Sequence, residues 1–252
     1  MDNTNQKRIQ ILMPNEIREL YERPAFNQTE REEYFALDDD MLKVLKGMDK
    51  LETKLYLALL IGYFRAKPVI PKFQLKDVQE DIEFLCKTYF SSSKPKLVTI
   101  PKSTRSKLIS KMLSMLDFEH FTKLHQANLI VRLKDVATIC IEPRYIFDEC
   151  LAFFGQQRLA LAGYTTLQDL ITDILSAERQ RTELVLSQHM TDLTKQRLRK
   201  VLNRKGLLNS LSGYKGSARD FSPAERLCCS TESSGLLRLF RQIYSFEACP
   251  TT

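Results

Sequence analysis

The sequence predicts an all-α fold of two packed helical subdomains. Three observations predict it. Apolar residues recur at spacings of three and four in several separate stretches, the period of a helix buried along one side. Residues that start helices stand just ahead of those stretches, at Pro14, Asp38 and Pro143. One run, residues 55–64 (LYLALLIGYF), carries no charge on any face, which marks a helix enclosed on all sides. A bilayer span needs about 20 apolar residues, so this run belongs to a protein core instead.

The first helix starts at Pro14, with Glu16 placed to meet the positive end of the helix dipole. Ile17, Leu20 and Tyr21 give it one apolar face, and Pro24 ends it. Thr29 and Glu32 have the spacing of a capping box for a second short helix. The consecutive acids 38–40 cap a third; adjacent carboxylates diverge and would not converge on a metal ion. The uncharged helix follows and stops before Pro68 and Pro71. Val78, Ile82, Leu85, Cys86 and Tyr89 then predict a helix over 75–90. Serines 91–93, followed by Lys94 and Pro95, mark the boundary between a first part, 1–92, and a second, 93–226.

In the second part, residues 101–116 predict a helix capped by Ser103, with Leu108, Ile109, Met112, Leu113 and Leu116 facing inward. Residues 118–141 mix helical and β-branched signals; strand and helix both remain open, and the helical neighbours favour helix. Pro143 opens another helix, which Gly155 ends. Residues 158–175 (RLALAGYTTLQDLITDIL) have the most distinctive local pattern. Gly163 breaks an apolar helical segment, and Thr165 with Gln168 forms a capping box for a helix reaching about residue 185. Helix, glycine turn and capped second helix make a helix-turn-helix-like unit. The tail, 227–252, loses helical grammar except at LLRLFRQIY.

Charge divides the chain in the same place. Of the net +7, residues 1–90 hold 14 basic against 16 acidic side chains, while 91–252 hold 24 against 15. The second part is therefore the candidate for meeting a polyanion. No acid occurs between Lys94 and Leu116, so Lys102, Arg105, Lys107 and Lys111 lie on a purely basic helix. Residues 195–205 (KQRLRKVLNRK) form a second run, with Lys195, Arg197, Arg199, Lys200, Arg204 and Lys205. Such faces are either simply solvated or they grip phosphates, the source of sequence-independent affinity for DNA. In a helix-turn-helix the start of the second helix meets base edges, which nominates Tyr164, Thr165, Thr166, Gln168 and Asp169, with Arg158 just ahead.

No catalytic set stands beside these features. His120, His125 and His189 have no partner constellation, and zinc-protease, nucleophile-elbow, phosphate-loop and dinucleotide signatures are absent from the sequence. Six cysteines without paired spacing read as free thiols in a reducing cytoplasm, and the polar start has no apolar leader. The expectation is a cytoplasmic protein with no metal, cofactor, small-molecule substrate or membrane partner.

Five strings in order resemble the transposases of class II replicative transposons, the Tn-three type. They are EREEYFAL (30–37), GYFRAK (62–67), EDIEFLCKTYF (80–90), the segment 158–171, and the Glu178 to Arg181 pair; YKGSARDFS (214–222) is similar as well. The likeness spans roughly 9–226. It implies that this chain is the N-terminal, DNA-binding part of such an enzyme, including a domain often catalogued as of unknown function. It also implies that the partner is double-stranded DNA at the terminal inverted repeats. The metal-dependent DDE strand-transfer chemistry of that family lies far downstream of the region matched, so the chain is expected to be a truncated, non-catalytic fragment. The alternative is a remnant that acts only by binding full-length transposase.

Overall fold

A computed structural model describes residues 8–91 and 95–196. Its helices are α1 (Pro14–Tyr21), α2 (Gln28–Tyr34), α3 (Asp39–Lys46), α4 (Leu51–Ala66), α5 (Gln79–Tyr89), α6 (Lys102–Met115), α7 (Lys123–Ile139), α8 (Pro143–Gln156) and α9 (Tyr164–His189). A single 3-10 turn, Leu75–Asp77, precedes α5. The fold is all-α: the only strand-like pairings among the described residues are isolated bridges, Val69 with Leu161 and Glu119 with Leu159.

Helix α4 is the axis. Every residue from 55 to 64 is buried, because α2, α3, α5 and α6 pack around it. A helix that is apolar all round has no face to give to water, so the remaining helices are recruited to cover it. Gly62 lets one of them come close. A Cβ there would lie 2.1 Å from Cδ1 of Phe35, so the ring sits directly on the backbone of α4.

The buried apolar cluster runs without a break from Ile11 to Leu175. The predicted boundary at 92–93 falls in the connection between α5 and α6, and the core continues across it through the packing of α4 on α6. Beyond that point α7 packs on both α8 and α9, joined to α8 by Arg132, which donates to Glu149 at 2.9 Å and Gln156 at 2.6 Å.

Several local expectations are corrected. The capping box of α2 is Asn27 with Glu30, not Thr29 with Glu32: Asn27 Oδ1 accepts from Glu30 N, and Glu30 Oε2 accepts from Asn27 N, both at 2.9 Å. Asparagine caps at least as well as threonine, and it comes first in the chain. The helix expected over 75–90 divides into the 3-10 turn and α5, with Val78 out of helical register between them. Helix α6 starts directly after Pro101, so Ser103 lies inside the first turn and caps nothing. The region left open between strand and helix is α7, capped by Thr122.

The largest correction concerns residues 158–162, expected as helix. They are extended. Arg158 adopts φ 48° and turns the chain back after α8. From there the backbone pairs with distant segments: Ala160 N donates to Glu119 O at 2.9 Å and Leu161 N to Pro68 O at 2.8 Å. A segment this short cannot sustain a helix by itself. Its three apolar residues Leu159, Ala160 and Leu161 are buried all the same; the amide of Leu159 donates to Phe154 O at the end of α8, and those of Ala160 and Leu161 find partners across the core. Helix α9 then starts at Tyr164, with Gly163 as its cap residue and no side-chain cap, so Thr165 and Gln168 form no capping box.

Candidate nucleic-acid interface

The resemblance-bearing strings of the first part build framework. Arg31 donates through Nε to Asp81 Oδ1 at 2.7 Å and through Nη2 to Glu80 Oε2 at 2.6 Å, which ties EREEYFAL to EDIEFLCKTYF. Tyr63 of GYFRAK joins the same carboxylate. Arg65 donates to the carbonyl of Ala36, and Lys67 to that of Glu22 at 2.9 Å. Burial pulls both cations below their usual pKa. Two cations spent on backbone carbonyls are positioned to hold loops, not to bind a polyanion.

Helix α6 is different. Its solvent side consists of Lys102, Ser103, Ser106, Lys107, Ser110, Lys111 and Ser114, all exposed. Lysines and hydroxyls are the side chains that contact phosphate oxygens, and no carboxylate on this helix competes for them. The sequence alone finds the lysines; the serines between them become part of the face only once the helix register is known. Arg105 stands apart. It is half-buried, with its Nε enclosed and unpaired, close enough to Tyr56 for its charge to counter part of the burial that raises that phenol's pKa.

The connection to α7 is held to this face. Ser110 Oγ lies 3.2 Å from His120 Nε2. Arg158 closes the turn from the other side, donating to the carbonyls of Asp117 and Leu116, both at 2.9 Å, with its guanidinium 4.8 Å from the Phe118 ring. Two of its donors are thereby committed to backbone, although its charge remains exposed. The turn it closes carries two acids, Asp117 and Glu119, and His125 approaches Glu119 at 3.8 Å.

The start of α9 is largely occupied. The hydroxyl of Tyr164 accepts from Ile11 N and Leu12 N, both at 3.3 Å. Gln168 Nε2 donates to Ile9 O at 2.9 Å, and Arg8 grips Asp169 with bonds of 2.5 and 3.0 Å. The N-terminal segment therefore lies across the turn that the helix-turn-helix plan assigns to base edges. Of the residues nominated there, Thr165 and Thr166 remain exposed. Beside them a groove of about 440 Å³ opens between α7 and α9, lined by Ile130, Lys134, Leu170, Ile174 and the carboxylates Asp169 and Asp173. Two carboxylates make its α9 wall unfavourable for phosphate.

Lys195 is exposed to a lesser degree and pairs with Asp192 at 3.7 Å. Arg197, Arg199, Lys200, Arg204 and Lys205 lie outside the described residues, as does the tail. Among the described residues no group of three or more His, Cys, Asp and Glu side chains could hold a metal ion, and no helix is long and apolar enough to cross a membrane. Cys86, Cys140 and Cys150 carry free thiols.

Residues 11–174 match a family model described as Domain of unknown function (DUF4158). No curated protein and no solved structure matches the chain.

Proposed function

The chain belongs to the DUF4158 family, and from that premise we propose that it is the DNA-binding opening part of a class II replicative transposase. The matched span contains four of the five strings that resemble those enzymes. In this reading the chain recognises the transposon's terminal inverted repeats, and strand transfer is carried out by residues other than these.

One observation carries the proposal: the exposed face of α6 is built only from lysine and serine. Lys102, Lys107 and Lys111 supply sequence-independent affinity by displacing counterions from the duplex, and the serines position the phosphates. The run 195–205 adds to that grip.

The test is fluorescence anisotropy of the full chain with a labelled mixed-sequence duplex, over roughly 50–200 mM salt. Affinity falls steeply with salt, and Lys107→Ala with Lys111→Ala lowers the log–log slope by about two. No binding at low salt, or an unchanged slope, overturns the reading.

A second reading rests on α9. Residues 179–189 are all exposed, and Leu184, Val185 and Leu186 among them face water. Apolar side chains on a projecting helix suit a protein partner, such as full-length transposase. Co-purification with that enzyme, together with no salt-dependent affinity for DNA, would favour it.

A further inference from the structure

The outward stripe of α7 is Leu124, Ala127, Asn128 and Val131, at the spacing of one helical face. All four are exposed, Leu124 by 69% and Val131 by 63%. The opposite face, Leu129, Leu133 and Ala137, is buried against the rest of the bundle. The stripe is thus neither core nor an ordinary charged surface. From Lys123 through Lys134 the helix has no acid at all.

We infer that α7, not the start of α9, is the helix that reads base edges in the major groove. This rests on the DNA-binding reading above and names the element that gives it sequence preference. The turn that leads into α7 touches the lysine and serine face of α6, since His120 is held to Ser110. Lys123 opens α7 on the exposed side, so phosphate-binding groups run up to the edge of the stripe. An asparagine can form two hydrogen bonds with adenine N6 and N7, and small apolar side chains pack on thymine methyl groups. Asn128 between Ala127 and Val131 presents that combination. The first turn of α9 offers less: Thr165 and Thr166 are exposed, but Tyr164 and Gln168 hold the N-terminal segment and Arg8 grips Asp169. Of the acids around α7, Glu149 is paired with Arg132, Glu119 lies 3.8 Å from His125, Asp135 follows the stripe at the C-terminal part of the helix, and Asp169 and Asp173 line the groove on the α9 side.

The experiment is selection from a duplex pool with a randomised centre, using the full chain and sequencing the retained fraction. The wild type enriches a motif containing adenine–thymine pairs. Asn128→Ala loses the preference at one adenine by about 10- to 100-fold, and Val131→Ala loses it at a neighbouring thymine. Both variants keep their affinity for mixed-sequence duplex. Lys107→Ala, by contrast, weakens retention of every sequence equally. Because Asn128 and Val131 are exposed, circular dichroism should be unchanged in both. If the two variants enrich the same motif as the wild type while the lysine variant still weakens binding, the inference about α7 fails and the DNA-binding reading stands. Retention by the wild type with no motif has the same consequence. If the wild type retains no duplex at low salt, both fall together.

Discussion

The hydroxyl of Tyr63 on α4 donates to Oδ2 of Asp81 on α5 at 2.5 Å, inside the core. Asp81 is 5% exposed at its side chain and takes a second bond from Arg31, itself 16% exposed. Arg23 completes the surround, with Nη1 3.6 Å from the same carboxylate. Burial, reinforced by the Asp81 charge, pushes the Tyr63 phenol well above its ordinary pKa, so it remains a donor at any working pH. Arg23, Arg31 and Tyr63, apart in the chain, are fastened at one carboxylate.

Removing that carboxylate should therefore cost far more than removing one of its donors. Asp81→Ala leaves Arg31 half-stranded in a low-dielectric site and should lower unfolding free energy by about 3 kcal/mol. Tyr63→Phe leaves the Arg31 pair in place and should cost about 1–2 kcal/mol. Urea titrations of the two variants decide it; equal losses would show that Asp81 is not the hub.

Gly62→Ala gives a sign test for close packing. On helix propensity alone the change should stabilise by roughly 1 kcal/mol. The Phe35 ring stands where the new methyl would go, and both residues are fully enclosed, so the variant should instead lose about 1–3 kcal/mol. Phe35→Leu should recover part of that loss when combined with it. A double-mutant cycle gives the coupling directly; additive losses would contradict the contact.

What was legible in the sequence follows from the range of the forces involved. Helix α4 could be read off because a ten-residue uncharged run has only one soluble solution. The apolar faces of α5, α6 and α9 could be read off because their period is local. The non-helical segment at 159–162 could not: the amides of Ala160 and Leu161 pair with Glu119 and Pro68, some 40 and 90 positions away. The same is true of the start of α9. Thr165 and Gln168 have the spacing of a capping box, but only the folded chain shows Gln168 reaching Ile9. On the candidate interface, the lysines of α6 were visible as an acid-free run. The α7 stripe was not, because Leu124 and Val131 look like core until the helix register turns them outward.

Asp148 introduces a pH dependence. Burial raises its pKa to about 6, while Arg144, with Nε 3.6 Å from Oδ1, pulls the other way. An acid whose folded pKa lies above its unfolded value binds its proton more tightly when folded. Its contribution is therefore favourable at low pH and is lost as pH rises from about 4 through about 6. Asp148→Asn removes the cost of burying the charge and leaves Arg144 paired with Glu16 at 2.8 Å. The variant should gain about 1–3 kcal/mol at pH 7.5 and gain nothing near pH 4. Thermal melts across that range test it, and a gain independent of pH would point to packing instead of charge.

Tyr164 separates a structural role from a reading role at the start of α9. Its hydroxyl is the acceptor for two backbone amides, those of Ile11 and Leu12, and both residues are buried. Tyr164→Phe keeps the ring against Tyr21 and Phe147 but strands those amides, at a cost of about 1–3 kcal/mol. Hydrogen exchange at residues 11 and 12 should quicken, because their protection depends on this one oxygen. Selection from the randomised duplex pool should return the wild-type motif, since the hydroxyl points into the protein and not toward a groove. If the motif changed while exchange at 11 and 12 did not, the start of α9 would be the reader after all, and the N-terminal segment would have to lift away from it on DNA.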